Sequence, residues 1–522
     1  SKRTQCFNTK ISPTMKHILH KLLTLILLAG LTSCAAEGDI NDGFYYPNFN
    51  EGAPSDTQEN LGGDQFTDYG ENDFIATATN PNSTFSVDAD GASYSILRAY
   101  INRYGALPPA ASLRTEELLN YFTFDYPEPE EGHRVSVSHE AMVCPWNTEH
   151  TLLRVGLKGI KPERMRPTNY VFMIDVSGAM NSNENLPLLK EGLKALVEHL
   201  SAEDKISIVT YSGSVRALLE GVAGNRKEEI IRAIDKLQAG GSTNGGDALV
   251  MAYNLARSCY IPDGNNRVII GTDGDFNVGM TSTEALVEYV EEQLQHNIYM
   301  SIMGFGLGNL NDSMMEKLAG HGNGTYDYID SAEQMIKVYV NERERMQAVC
   351  KDTKIKIAFN PETVAQWRLI GYENRVMTEE EFEDSKKDAG EIGAGQTITA
   401  LYELIPSEST DELPSETLMA TCEVRYKDTN FDTPYSIDYN IAPTVLSNAE
   451  ASSEIKWAAS LAAMSMLSRQ SKYAGSATVA MVESLAREGV VGDRVQQADP
   501  HGYRAAHLIL LDKWSALLAE KK

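Results

Sequence analysis

Four residues with oxygen-bearing side chains stand where a fold can gather them around one cation. Asp175 and Ser177 follow an apolar run in YVFMIDVSGAMN, residues 170–181. Thr243 lies in GGSTNGG, and Asp273 in RVIIGTDGDFN. Carboxylate and hydroxyl oxygens are hard donors, suited to Mg²⁺ or Ca²⁺ and poor for thiophilic metals. The plainer reading of the same residues is loops that cap helices in an ordinary α/β domain.

The elements around these residues place them at one end of a sheet. Tyr170 to Asp175 reads as a buried parallel strand that empties into a loop of small polar residues. The helix pattern IIRAIDKLQ precedes Thr243, and an apolar strand ends at Asp273. Open α/β sheets collect their binding residues at such strand ends and helix starts. From 168 to 345 strand patterns alternate with helix patterns, the latter near 226–238, 246–259 and from 332 to about 348. KISIVTYSG and SVRALLE read as a short strand pair. The alternation predicts an α/β fold with a doubly wound, mostly parallel sheet. Gly304, Gly306 and Gly308 follow a late strand and lack the context of a dinucleotide fingerprint.

This arrangement resembles the von Willebrand factor type A domain and its metal-ion-dependent adhesion site. The resemblance implies a Rossmann-like sheet in which an Asp-x-Ser-x-Ser loop, a Thr and a second Asp hold one divalent ion. The ion's free position takes an acidic side chain from a partner protein. Asp175, Ser177, Thr243 and Asp273 match that set, whereas Ala179 stands where the second Ser is expected. A methyl group cannot coordinate a cation, so the implied Mg²⁺ or Ca²⁺ site is a weakened one. The likeness extends over about 75–522. PNSTFSVDADGASYSILRAYINRYG, NNRVIIGTDGDFNVG, LIGYENR and the helical tail resemble a bacterial lipoprotein family with a type A domain flanked by conserved regions.

Residues 133–159 and 352–440 carry strand patterns, including TLLRVGLKG, DTKIKIAFN, VAQWRLIGYE, QTITALYELI and MATCEVRYKD. They are expected to form one β-sandwich-like domain into which the type A domain is inserted, since the ends of a domain commonly lie close together. Helical regions flank it. In SYSILRAYINRYG, Tyr94, Leu97, Ile101 and Tyr104 fall on one helix face. The expected ranges are a signal peptide over 1–34, an acidic tether over 35–74, and a largely helical N-terminal region with β strands over 75–167. The type A domain follows over 168–345, a β domain over 346–445 and a helical region over 446–522. Asp88 and Asp90 are read as caps of a helix starting near Ala92, the alternative being metal ligands.

Lys16 to Lys21, the apolar LLTLILLAG and LTSC ending at Cys34 read as a bacterial lipoprotein signal with Met15 as a plausible start. Lipid on Cys34 would anchor the chain to a membrane. Ala35 after the cysteine and the acidic stretch beyond it are compatible with an outer-membrane or surface position in the bacterial envelope. Residues 35–74 hold ten Asp or Glu and no Lys or Arg, which favours a disordered spacer, although aromatics such as Phe66 can dock on the body.

The formal charge of −27 argues against nucleic acid as a partner. Six cysteines are too few for a disulfide scaffold. Of those after Cys34, Cys144, Cys259, Cys350 and Cys422 either pair, with Cys144–Cys422 attractive within a shared β domain, or stay as thiols. The acidic run VMTEEEFEDSKKD reads as solvated. No HExxH, GxSxG or CxxC motif occurs, and no histidine presents itself as a base for Ser177. The sequence therefore favours a non-enzymatic binding or scaffolding protein over a cell-envelope hydrolase or a purely structural type A scaffold without metal.

Overall fold

The computed structural model describes residues 63–241, 246–274, 283–408, 413–429, 432–491 and 499–520. Cys34 and the segment before it, most of the acidic spacer, and Thr243 lie outside the described residues. Among the described residues no helix is long and apolar enough to cross a membrane.

The chain opens with β1 (Ile75–Ala76), β2 (Asn82–Ser86), α1 (Ala92–Ala99) and α2 (Thr115–Asn120), then β3 (Val135–Val143) and β4 (Thr151–Gly159). An α/β unit follows: β5 (Thr168–Asp175), α3 (Leu186–Glu198), β6 (Lys205–Tyr211), β7 (Val215–Ala223), α4 (Lys227–Asp235), α5 (Gly246–Ser258) and β8 (Asn265–Thr272). It continues through α6 (Thr283–Leu294), β9 (Ile298–Gly304), α7 (Asp312–His321), β10 (Tyr326–Tyr328) and α8 (Ala332–Ile336). Strands then return as β11 (Ala348–Phe359), β12 (Val364–Ile370), β13 (Ile392–Gly393), β14 (Thr397–Pro406), β15 (Ala420–Asp428) and β16 (Pro434–Ile441), with α9 (Glu379–Glu383) between β12 and β13. The tail is α10 (Ser453–Arg469), α11 (Val479–Glu488) and α12 (Tyr503–Glu520).

The inserted sheet runs β10-β9-β8-β5-β6-β7, with every neighbouring pair parallel except β6–β7. Strand β5 is buried throughout because helices cover both faces of the sheet. On one side Val171, Met173 and Ile270 meet α5 and α1; on the other Phe172, Ile174 and Ile269 meet α3.

Strands from both sides of the insertion share two further sheets. One runs β1-β12-β14-β4-β3, the other β13-β11-β15-β16 with β2 on β11. Leu153, Val155 and Leu157 of β4 enter one core with Ile355 and Ile357 of β11, which makes the pair a sandwich. The type A unit is therefore inserted into a β-sandwich. Its two ends are tied side by side: the Arg166 amide donates to Gln347 Oε1 at 3.0 Å, and Gln347 Nε2 donates to the Arg166 carbonyl at 2.6 Å.

Several local expectations need correction. The strands of the largely helical N-terminal region begin well before residue 133, since NSTFS is β2 and pairs with β11. Helix α1 is buried on two faces, which single-face periodicity cannot show. Tyr94, Leu97 and Ile101 face the helical tail, Ala92, Ile96 and Tyr100 face the inserted sheet, and Tyr104 stays exposed. The helix from Ala332 passes into a wider turn at 337–341 and a tight turn at 343–346 before β11. The spacer does not extend to residue 74, because the chain from Asp64 onward is hydrogen-bonded to the body and Phe66 packs on its core. Part of the acidic run forms α9 under a Thr378 capping box, with Phe382 buried beneath Lys356 and Arg425. All four described cysteines are free thiols. Cys144 sits in the helical core and Cys422 in the sandwich core, so the two do not pair.

Candidate metal centre

Strands β5 and β8 lie side by side and parallel, with Ile174 opposite Gly271. Asp175 and Asp273 thus leave neighbouring strands at the same edge of the sheet, and both are buried. Asp175 Oδ1 accepts the Ser177 amide at 2.7 Å, which turns the chain and holds the two side chains in one loop. Ser177 is 2% exposed, and its Oγ has no hydrogen-bond partner among the described residues.

The third loop is attached to the first on its described flank. Gly240 donates to the Val176 carbonyl at 2.8 Å, and Gly178 donates to the Gly241 carbonyl at 3.1 Å. Gly241 has φ +89°, a conformation that favours glycine, and a Cβ there would stand 3.2 Å from Ser212 Oγ. Ala179 is exposed and brings no side-chain oxygen; its carbonyl accepts Asn185 Nδ2 at 3.1 Å.

A buried hydroxyl without a partner is costly. The donor set fits a hard divalent cation on that ground: Ser177 Oγ is an orphaned oxygen in the loop of the buried Asp175, at the sheet edge that also carries the buried Asp273.

Asp88 and Asp90 do something the sequence did not disclose. The cap of α1 is Gly91, and no side chain on that residue bonds to the helix. Glu117 from α2 accepts the Ser93 amide at 2.7 Å instead. Asp88 accepts the Asp90 amide, and Asp90 accepts the Tyr326 amide at 2.9 Å. The carboxylates of Asp88, Glu117 and Glu316 lie within 4.8 Å of one another. Cations already stand among them. Arg375 donates to Asp88 and Glu316 at 3.0 Å each, and Arg114 pairs with Glu117 and with Asp312 at 2.7 Å. The cluster is an ionic clasp between the inserted unit and the sandwich. A cleft of about 840 Å³ lies beside it.

The motif LIGYENR belongs to this clasp. Gly371 has φ +80°, and a Cβ there would meet Glu116 Oε2 at 2.6 Å. Tyr372 donates its amide to Glu116 at 2.8 Å, and Asn374 donates to Glu316 at 2.8 Å. Within the other long motif, Arg267 spans Ser301 Oγ at 2.6 Å and the Met346 carbonyl at 2.7 Å. Both motifs thus carry inter-element contacts, and the second carries the site residue Asp273 as well.

Comparison with known proteins agrees with this architecture. The family model "von Willebrand factor type A domain" matches residues 169–341, and "Uncharacterized protein YfbK, C-terminal" matches 344–517. A third model, "von Willebrand factor", matches 60–154. The molecule is therefore a von Willebrand factor type A domain protein, a class that mediates protein–protein interaction and often binds Mg²⁺ or Ca²⁺ at the sheet edge just described. It is 36% identical over 478 residues to protein YfbK of Escherichia coli (strain K12), covering 87% of this chain and 81% of that one. The chain belongs to the YfbK family.

Human inter-alpha-trypsin inhibitor heavy chain H2 is 28% identical over 185 residues, 33% of this chain and 19% of the relative. Among solved structures, a von Willebrand factor type A protein from Catenulispora acidiphila aligns with TM-score 0.42 and 15% identity, covering 72% of this chain and 92% of that one.

Proposed function

We propose that the chain is an envelope-anchored binding or scaffolding protein that presents the upper edge of the type A sheet to a protein partner. Asp175, Ser177 and Asp273, with Thr243, would hold Mg²⁺ or Ca²⁺, and an acidic side chain of the partner would complete the ion's coordination. Lipid on Cys34 would keep the protein at the membrane of a bacterial envelope. The observation that carries the metal reading is the buried, partnerless hydroxyl of Ser177 at the sheet edge that carries the buried Asp175 and Asp273. The missing hydroxyl at Ala179 makes the site weaker than the full pattern, with water filling the position.

The test is capture of envelope proteins on the purified chain, with and without EDTA. A partner retained in Mg²⁺, released by EDTA and lost in Ser177→Ala supports the reading. A partner held equally in EDTA would replace it with a scaffold that recognises surface shape without an ion.

A further inference from the structure

Immediately after the segment outside the described residues, the chain forms a strap on the same edge of the sheet. Asp64 is 5% exposed. Its Oδ1 accepts the amides of Gly308 at 2.7 Å and Leu310 at 2.8 Å, and its Oδ2 accepts Tyr100 Oη at 3.0 Å. Gln65 donates its amide to the Leu310 carbonyl at 2.8 Å and bridges Asn311 in parallel, while Thr67 Oγ1 donates to Ser313 Oγ at 2.8 Å.

The turn that the strap holds is the surface on which the second acidic residue of the metal centre is laid. Gly274, directly after Asp273, has φ +99°. A Cβ there would stand 2.5 Å from the Asn311 amide nitrogen, 2.8 Å from the Asn309 carbonyl and 2.9 Å from Leu310 Cα. Backbone therefore meets backbone without an intervening side chain. The residue before Asp273 is fixed as well, since Phe305 donates its amide to the Thr272 carbonyl at 2.9 Å. A shift of the 308–311 turn reaches Asp273 without a flexible link to absorb it.

We infer that Asp64 is a positioning residue for the candidate metal centre, acting through the 308–311 turn on Gly274 and Asp273, so that the strap at 64–67 regulates the site. The inference rests on the proposed metal reading for its functional consequence, but not for its structural one. Whatever draws the strap off the sheet edge loosens the second carboxylate.

The test uses the full chain with Asp64→Ala, Asp64→Asn and Gln65→Pro. Alanine removes the acceptor of both amides. Asparagine keeps an oxygen for them. Proline at the exposed position 65 removes the strap's amide bond to the Leu310 carbonyl while leaving the Asp64 carboxylate in place. Hydrogen exchange is followed over 308–313 and over 272–274, and Mg²⁺ affinity is measured by calorimetry. Asp64→Ala and Gln65→Pro are expected to speed exchange in both segments and to weaken Mg²⁺ by about fivefold or more, the lower end of ordinary coupling between sites. Asp64→Asn should stay near the parent in both.

Faster exchange confined to 308–313, with 272–274 unchanged, overturns the inference even if the parent binds Mg²⁺. A parent silent toward Mg²⁺ removes the proposed metal function, while the exchange measurement still decides whether the strap positions Asp273. Should Asp64→Ala fail to fold, Gln65→Pro carries the same two readouts.

Discussion

Gly178 donates its amide to the carbonyl of Gly241 at 3.1 Å. That one bond joins the loop carrying Asp175 and Ser177 to the turn that leads toward Thr243. With Gly240 bonded to the Val176 carbonyl as well, backbone contacts join the Asp175–Ser177 turn in holding the first loop. The Ala179 side chain takes part in none of these bonds, and its carbonyl accepts Asn185 whatever the side chain is. Substitution at 179 is therefore a test of coordination more than of folding.

Ala179→Ser is expected to tighten Mg²⁺ or Mn²⁺ binding. A hydroxyl–ion contact, taken as comparable to a hydrogen bond to a charged group at about 1.5–3 kcal/mol, corresponds to about tenfold or more in affinity. Asp175→Ala is expected to remove binding, because Asp175 carries the only charge in the stretch 175–179. Titration calorimetry on both variants beside the parent is the measurement. A parent without heat and an Ala179→Ser chain that behaves identically would mean that the loop needs no ion.

What the sequence disclosed was local or repetitive. A run such as YVFMID is buried on both faces and ends in polar residues, so β5 and its exit were legible from hydrophobicity alone. The same holds for β8, and the two together placed Asp175 and Asp273 at one sheet edge. The inserted arrangement was legible because strand patterns flank the type A unit on both sides.

Partners distant along the chain were not legible. Arg375 joins Asp88, 287 residues away, and Glu316, 59 residues away. Neither periodicity nor capping rules carry that information. Asp88 and Asp90 stood where helix caps stand, yet the helix amide at Ser93 took Glu117 from another helix. Asp64 lay in a composition typical of disorder, and its order comes from two amides that only the folded sheet edge presents.

The tied ends of the insertion lead to a second expectation. Because Arg166 and Gln347 are hydrogen-bonded to each other, excising 168–345 and closing with a short linker should leave a sandwich that melts cooperatively. It should melt lower than the intact chain, by about 10 °C or more. The excision takes Asp312 from Arg114 and Glu316 from Arg375, and it uncovers the face of α1 that packs on the inserted sheet. Differential scanning calorimetry decides it. A remainder without a cooperative transition would show that the insertion is an obligate part of the sandwich core.

The clasp also sets a pH dependence. Glu117 is fully buried, and burial pushes its carboxyl from 4.5 up to about 7 although Arg114 opposes the shift. Asp90 and Glu116 are raised well above the usual range by the same cause, with like charges nearby adding to it. Asp88, Glu316 and Asp312 face the group from the neighbouring elements, together with Arg114 and Arg375. A carboxyl raised in the folded state binds its proton more tightly there than in the unfolded chain. Its contribution to stability is therefore complete below about 4.5, the unfolded value, and is lost as pH rises through about 7. Stability measured by denaturant unfolding should rise as pH falls from 8 toward 5, with Glu117 contributing on the order of 2–3 kcal/mol over that window. Glu117→Gln cannot titrate and keeps an acceptor for the Ser93 amide, so it should flatten this part of the profile. A profile as steep as the parent's would show that Glu117 is ionised throughout and that its pairing with Arg114 outweighs its burial.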